Sequence, residues 1–250
     1  MPRFHHGAVE IDFLDEGDGD PAILVHGFAS TKEMNWIHPG WVSTLRRAGR
    51  RVIALDNRGH GRSTKLYRPA DYAIDCMAGD VLALADHLGV QRADFMGYSM
   101  GGRICALIAA RHPERVRCAI LGGIGRSLIE GRQRSEDIAA ALEAPTLADV
   151  TDPTGRAFRL FAEQTKSDLE ALAACIRGSG HGLPRAEIAS ITVPVLVAVG
   201  TKDDIAGPAQ PLAEIIPGAQ VLDIPDRDHM RAVGDRVFKA GVLAFLERRP

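Results

Sequence analysis

What the 250-residue chain lacks narrows its possibilities before any motif is considered. No run of about eighteen apolar residues occurs, so a membrane-spanning helix is not expected. Charge of one sign is not in excess. Lys and Arg number 30 against 32 Asp and Glu, a formal net charge of -2. That leaves no basic footprint for nucleic acid and no strong field to steer an anionic substrate. Cysteine is scarce, and Cys76, Cys105, Cys118 and Cys175 show no C-x-x-C spacing. They sit in apolar stretches, so buried thiols in a reducing compartment are expected rather than a disulfide framework or a metal site. The first twelve residues include His5, His6 and Asp12 and hold no continuous apolar segment, which argues against a secretory signal and for the cytoplasm. Internal repeats and low-complexity linkers are absent. What remains, at 46% hydrophobic and 25% charged residues, is an ordinary globular composition able to bury a sizeable core.

Along the chain, short apolar runs alternate with helical spacing. Residues 8–14 follow His5-His6-Gly7 as the second arm of a hairpin closed at Gly7. Apolar or β-branched runs at 22–25, 51–55, 93–96, 116–121, 193–199 and 220–224 read as strands. Between them, 41–48, 71–88, 102–111 and 233–246 read as helices; Val81, Leu84, Ala85 and Leu88 repeat at i, i+3, i+4 and i+7. Continuous apolar strands separated by helices imply a mostly parallel sheet covered on both faces.

Residues 124–190 break the alternation. Ile138, Ala141 and Leu142 share one helical face, and Leu169, Leu172, Ala173 and Ile176 another, with no convincing strand between. Pro145, Pro153 and the Gly178-Ser179-Gly180-His181-Gly182 stretch separate the pieces. An all-helical insertion cannot join the sheet. It is expected to lie over the strand ends as a cap on a core made of 1–123 and 191–250.

The most informative residues are Gly97-Tyr98-Ser99-Met100-Gly101, between the strand run at 93–96 and the helical run that follows. A serine held on so tight a strand-to-helix turn needs small residues two places to either side, because larger side chains would strike the neighbouring strand and helix. The turn exposes the hydroxyl at the carboxyl edge of the sheet and aims the next backbone N–H at the same point. G-x-S-x-G alone is a weak signal, so its surroundings decide.

Three further motifs surround it. His26-Gly27-Phe28 ends the run at 22–25; Asp56-Asn57-Arg58-Gly59-His60-Gly61-Arg62-Ser63 follows the run at 51–55; and Gly200-Thr201-Lys202-Asp203 precedes Asp228-His229. In this order the chain resembles the α/β-hydrolase fold family over nearly its whole length. The resemblance implies an α/β fold, a mostly parallel sheet flanked by helices with a small helical cap after the sixth strand, and the chain order nucleophile, acid, base. Ser99 is then the nucleophile and His229 the base; His181, in the Gly-rich stretch, is the lesser candidate. Asp203 is favoured over Asp204 as the acid, since it stands three places after the glycine. Asp226 and Asp228 read as a solvated loop. The backbone N–H groups of Phe28 and Met100 are expected to form an oxyanion hole, and Tyr98 to pack away from the nucleophile. The turn at 56–63 is expected to stabilise the fold, and Gly122 and Gly123 to leave room beside the site. Phe28, Met100, Ile124, Phe158 and Phe161 are candidate pocket liners by position.

The resemblance points to a serine hydrolase of small carboxylic esters or lactones, working through an acyl-enzyme without metal or cofactor. The aspartate nucleophile of dehalogenases and epoxide hydrolases is replaced by Ser99, which disfavours both. Enol-lactonases, carbon–carbon bond hydrolases of ring-cleavage products and cofactor-free perhydrolases or haloperoxidases stay open. So does, in a different class, a small-ligand receptor with little turnover. No nucleic-acid or membrane partner is expected, and oligomeric state is not readable.

Overall fold

The structure, a computed structural model, describes residues 1–131 and 134–248. Eight strands form one sheet: β1 (Arg3–His6), β2 (Val9–Glu16), β3 (Asp20–Val25), β4 (Arg50–Leu55), β5 (Ala93–Tyr98), β6 (Val116–Gly122), β7 (Val195–Gly200) and β8 (Gln220–Ile224), in the order β1-β2-β4-β3-β5-β6-β7-β8. The β1–β2 hairpin turns through Gly7 at φ +60°, where a side chain would be strained. β2 runs antiparallel to β4, and every pairing from β4 to β8 is parallel.

The parallel strands carry apolar residues on both sides because both sides are covered. Ile23, Val25, Phe95, Val195 and Val197 enter one core, and Leu24, Met96, Leu196 and Ala198 the other. The first core packs against α2 (Ile74–His87) and α3 (Met100–Arg111), the second against α1 (Trp41–Arg47) and the closing helix, whose Phe238, Val242 and Phe245 are buried there. Between β6 and β7 lie α4 (Ser127–Glu130), α5 (Ser135–Glu143), α6 (Pro153–Gln164), α7 (Leu169–Ser179) and α8 (Arg185–Ala189), and no strand among the described residues. Then come α9 (Gln210–Ala213), α10 (His229–Ala232) and α11 (Arg236–Arg248). No helix among the described residues is long and apolar enough to cross a membrane.

Four boundaries differ from those the sequence suggests. The helix expected over 71–88 is interrupted: Pro69–Tyr72 make a tight turn, Ala73 is extended, and α2 starts at Ile74. Tyr72 is fully buried, and its hydroxyl both donates to the Leu66 carbonyl and accepts from the Leu66 N–H, which holds the turn out of the helix. The helix expected over 233–246 starts only at Arg236, as α11, because a separate short helix, α10, ends at Ala232 and Asp235 accepts from the Val237 N–H and restarts the chain. Pro194 lies just before β7, which starts at Val195. The helix after Ser99 begins at Met100, ahead of the glycines.

Candidate active site

Ser99 lies between β5 and α3 at φ +54°, ψ -113°, a region costly for a residue with a Cβ. The flanking glycines make the turn possible. A Cβ on Gly97 would overlap the Gly101 carbonyl, and one on Gly101 would overlap the Val25 carbonyl at the end of β3. Gly27 approaches from the neighbouring loop, though less tightly: a Cβ there would stand 3.2 Å from the Tyr98 carbonyl and 3.4 Å from the Ser99 Cβ. The His26-Gly27-Phe28 loop is therefore pressed against the elbow, and Ala29 beyond it is itself held at φ +58°.

The structure brings three of the sequence candidates into one line. His229 Nε2 is 3.0 Å from Ser99 Oγ, and His229 Nδ1 is 2.8 and 3.0 Å from the two Asp203 oxygens. A carboxylate only accepts, so Nδ1 carries the proton and Nε2 is left as the acceptor facing the serine. All three residues are buried. Asp203 is further fixed by the backbone N–H groups of Ile205 (3.1 Å) and Ala206 (2.8 Å). Asp204, one residue on, is exposed and takes no part in this line. His181 lies apart from it: its side chain is exposed, and its carbonyl accepts from the Arg103 guanidinium.

Three expectations need correction. Tyr98 does not pack away from the site. Its hydroxyl donates to the His229 carbonyl (2.6 Å) and its ring centroid lies 5.5 Å from the imidazole, so the elbow tethers the histidine loop. Gly122 and Gly123 leave room first for aromatic rings, since a Cβ on Gly122 would press on Phe238 and Tyr98 and one on Gly123 on Tyr98; Gly123 alone of the two also lines a cavity at Ser99. Asp228 caps α10, accepting from the Met230 and Arg231 N–H groups (3.1 and 2.9 Å), and so holds His229 at the helix start. Asp226 is exposed and pairs with Lys202 at 2.9 Å.

Two residues absent from the sequence expectations shape the loop bearing Phe28. Asn35 Oδ1 accepts the Gly27 N–H at 2.8 Å. Lys32 has a fully buried side chain whose ammonium contacts Asp12, Asp56 (2.7 Å) and Glu33 (3.2 Å), while its backbone N–H donates to Asp56 (2.8 Å). Burial alone would lower the Lys32 pKa, but Asp56 and Asp12 outweigh it and hold it above the usual value. Asp56 is pulled below its usual value: burial opposes this, and His26 and Lys32 prevail. A lysine inside a loop of small residues was the available signal. The carboxylates of Asp12, Glu33 and Asp56 come close enough together to suggest a cation, and the Lys32 ammonium is that cation. His26 is structural as well. Its Nδ1–H donates to the Gly27 carbonyl (2.7 Å), its Nε2 accepts the Asn57 N–H (3.0 Å), and burial lowers its pKa.

Two cavities meet at Ser99. One, of about 270 Å³, includes Ile124 and Phe158 in its walls; the other, of about 280 Å³, includes Phe28, Phe158 and Phe161. Met100 lines neither. As the first residue of α3 it points into the core, where its sulfur meets the Cys175 thiol at 3.8 Å.

Residues 20–130 match the family model for the alpha/beta hydrolase fold. The chain is 34% identical over 248 residues to the dihydrolipoyllysine-residue acetyltransferase component of the acetoin cleaving system from Pseudomonas putida, covering 92% of this chain and 64% of that protein. It thus spans less than two thirds of that relative's length. To 3-oxoadipate enol-lactonase 2 of Acinetobacter baylyi it is 30% identical over 213 residues, 79% of each chain. The crystal structure of the enol-lactonase from Burkholderia xenovorans LB400 superposes with a TM-score of 0.84 at 26% identity, covering 99% of this chain and all of the other.

Proposed function

Since the chain belongs to the alpha/beta hydrolase fold family, we propose that it is a serine hydrolase of small carboxylic esters. The observation that carries the proposal is the buried line from Ser99 through His229 to Asp203, reached by two cavities. In this reading Ser99 Oγ attacks the ester carbonyl carbon as His229 Nε2 takes its proton. The negative charge that develops on the carbonyl oxygen is received by the Phe28 and Met100 N–H groups, each contributing on the order of 3 kcal/mol in the transition state. Collapse expels the alcohol, which takes the proton from His229. Water activated by the same imidazole then releases the acid from the acyl-serine. Phe28, Ile124, Phe158 and Phe161 line the space for the substrate, and residues 124–190 serve as the cap over a core of 1–123 and 191–250. The free state of all four cysteines supports a cytoplasmic setting.

A lactone is the second reading, supported by the 30% identity to the Acinetobacter enol-lactonase over 79% of both chains. In a lactone the acyl and alkoxy parts are one molecule, and the chemistry at Ser99 is unchanged.

A panel of p-nitrophenyl esters of increasing acyl length, with several lactones, tests both. Wild type should turn over, with an initial burst on the activated esters. Ser99→Ala and His229→Ala should each lose about 10⁴-fold or more in kcat. Ligands bound equally by wild type and Ser99→Ala, with no turnover in either, would make this a binding protein instead.

A further inference from the structure

The two cavities that meet at Ser99 differ in the chemistry of their walls. The first carries charge of both signs: Arg103, Arg126 and Arg134 beside Glu130 and Asp204, with the hydroxyls of Ser127 and Thr154. Part of that charge is already engaged. Arg134 pairs with Asp137 at 2.9 Å and with Asp152, Arg126 stands 3.5 Å from Glu130, and the Arg103 guanidinium donates to the Ser127 carbonyl at 3.1 Å. The wall therefore presents donors and acceptors together rather than a single strong charge. The second cavity has no Lys, Arg, Asp or Glu in its lining among the described residues: Phe28, Met34, Phe161, Met230 and Val233 give it apolar surface beside the neutral polar side chains of Ser30, Asn35 and Gln164, and His229 opens into it.

The site's geometry assigns these cavities to different parts of a substrate. In the tetrahedral adduct on Ser99, the oxyanion must face the loop bearing Phe28, and the leaving oxygen must face His229 Nε2 to receive its proton. Phe28 and His229 both line the second cavity and not the first. The remaining substituent on the carbonyl carbon is the acyl chain, and the remaining direction from Ser99 is the first cavity. Resting on the serine hydrolase reading, we propose that the charged cavity is the acyl subsite and the uncharged, aromatic-rich cavity the leaving-group subsite. The favoured substrates are then esters with polar, hydrogen-bonding groups on the acyl chain and an apolar alcohol or enol. Phe158, in the walls of both cavities, stands where the two halves join.

An isomeric pair tests the assignment without changing size or composition: phenethyl methoxyacetate, with its polar half on the acyl side, and methoxyethyl phenylacetate, with the halves exchanged. The kcat/KM of each, divided by its own hydroxide-catalysed rate, should favour the first by about tenfold or more. Two exposed positions check the direction. Met230→Trp should raise KM for phenethyl methoxyacetate at least several-fold more than KM for methyl methoxyacetate. Arg126→Leu should lower the preference for methoxyacetyl over butyryl esters of one alcohol. Labelling of Ser99 by a fluorophosphonate, read by mass spectrometry, is run beside these assays. Labelling with equal or reversed isomer preference, or a Met230→Trp effect on acyl rather than alcohol selectivity, overturns this inference alone. Absence of both labelling and cleavage overturns the hydrolase reading and this inference together.

Discussion

The loops at the carboxyl ends of the strands and the helices inserted after β6 are held by different kinds of force. Around Ser99 the side chains that set the geometry are buried and polar: Lys32 among Asp12, Asp56 and Glu33, Asn35 on Gly27, Arg58 on Asp80 at 2.6 and 2.8 Å, and Asp203 under its two backbone donors. In the insertion the helices meet through apolar faces, Ile138, Ala139 and Leu142 against Leu172 and Ile176, and most charges lie outside, although Arg159 is buried and donates to the Ala141, Leu142 and Ala144 carbonyls. Arg177 is typical, spanning Glu136 and Glu143 on the surface. Apolar packing tolerates substitution if volume is kept, whereas a buried charged network tolerates very little. The first region holds a few polar atoms in fixed places, and the second can change its side chains as long as its apolar volume is kept.

The contrast can be broken at its sharpest point by exchanging the two neighbouring aspartates. Asp203→Asn removes the acceptor for His229 Nδ1–H and should lower kcat about 10⁴-fold, while Asp204→Asn should stay within about threefold, in steady-state ester hydrolysis. The reverse order would move the acid to Asp204. Next in size is Lys32→Met, which strands the Asp12 and Asp56 carboxylates without their ammonium. It should cost about 3–5 kcal/mol in denaturant unfolding. The same network predicts the acid limb of stability. Because the Asp56 pKa is lowered by folding, its contribution is present above the unfolded value and is lost as pH falls through the folded one. The wild-type unfolding midpoint should therefore drop at acid pH more steeply than that of Lys32→Met; parallel pH profiles would exclude the network as its source.

Smaller effects sharpen the comparison. Tyr98→Phe keeps the ring against His229 and loses only the hydrogen bond to its carbonyl. We expect about 1 kcal/mol of stability lost and a fall in kcat with KM nearly unchanged. A change in KM alone would mean that Tyr98 acts on the ligand rather than on the histidine loop. Arg177→Ala is the smallest. Its partners are largely exposed, with 73% and 47% of the Glu136 and Glu143 side chains accessible, so no more than about 1 kcal/mol should be lost in thermal or denaturant unfolding. A loss of several kcal/mol would mean that the insertion depends on its charges as the strand-end loops do.

Much of the fold was legible because its signals are local. The runs at 22–25, 51–55 and 116–121 carry their apolar residues in sequence, and each lies within a strand. Ser99 was marked by its own glycines two places to either side, although the crowding at Gly101 comes from the Val25 carbonyl of the neighbouring strand. Beyond the bare signal of a lysine in a loop of small residues, the roles of Lys32 and Asn35 were not legible, since what makes them matter is a carboxylate 24 residues on and the Gly27 N–H. Tyr98 was misread for a related reason: its partner, the His229 carbonyl, is 131 residues away. Asp228 was open to recognition, because an aspartate two and three residues before the N–H groups it accepts is an N-cap pattern.

By itself the amino-acid sequence determined the alternation of strands and helices, the strained position of Ser99 and the chain order in which its partners follow. The first two depend on steric and hydrophobic rules that act over a few residues, and the chain order is what the resemblance to the family implies. The tertiary structure decided which of two adjacent aspartates faces the imidazole, because the Ile205 and Ala206 N–H groups hold Asp203 inward and leave Asp204 at the surface. It also decided that the space at the serine divides into a charged cavity and an uncharged one, since their walls come from segments as far apart in the chain as Phe28, Arg126, Phe158 and Met230. No local rule reaches across such separations; only closing the sheet brings those side chains to one edge.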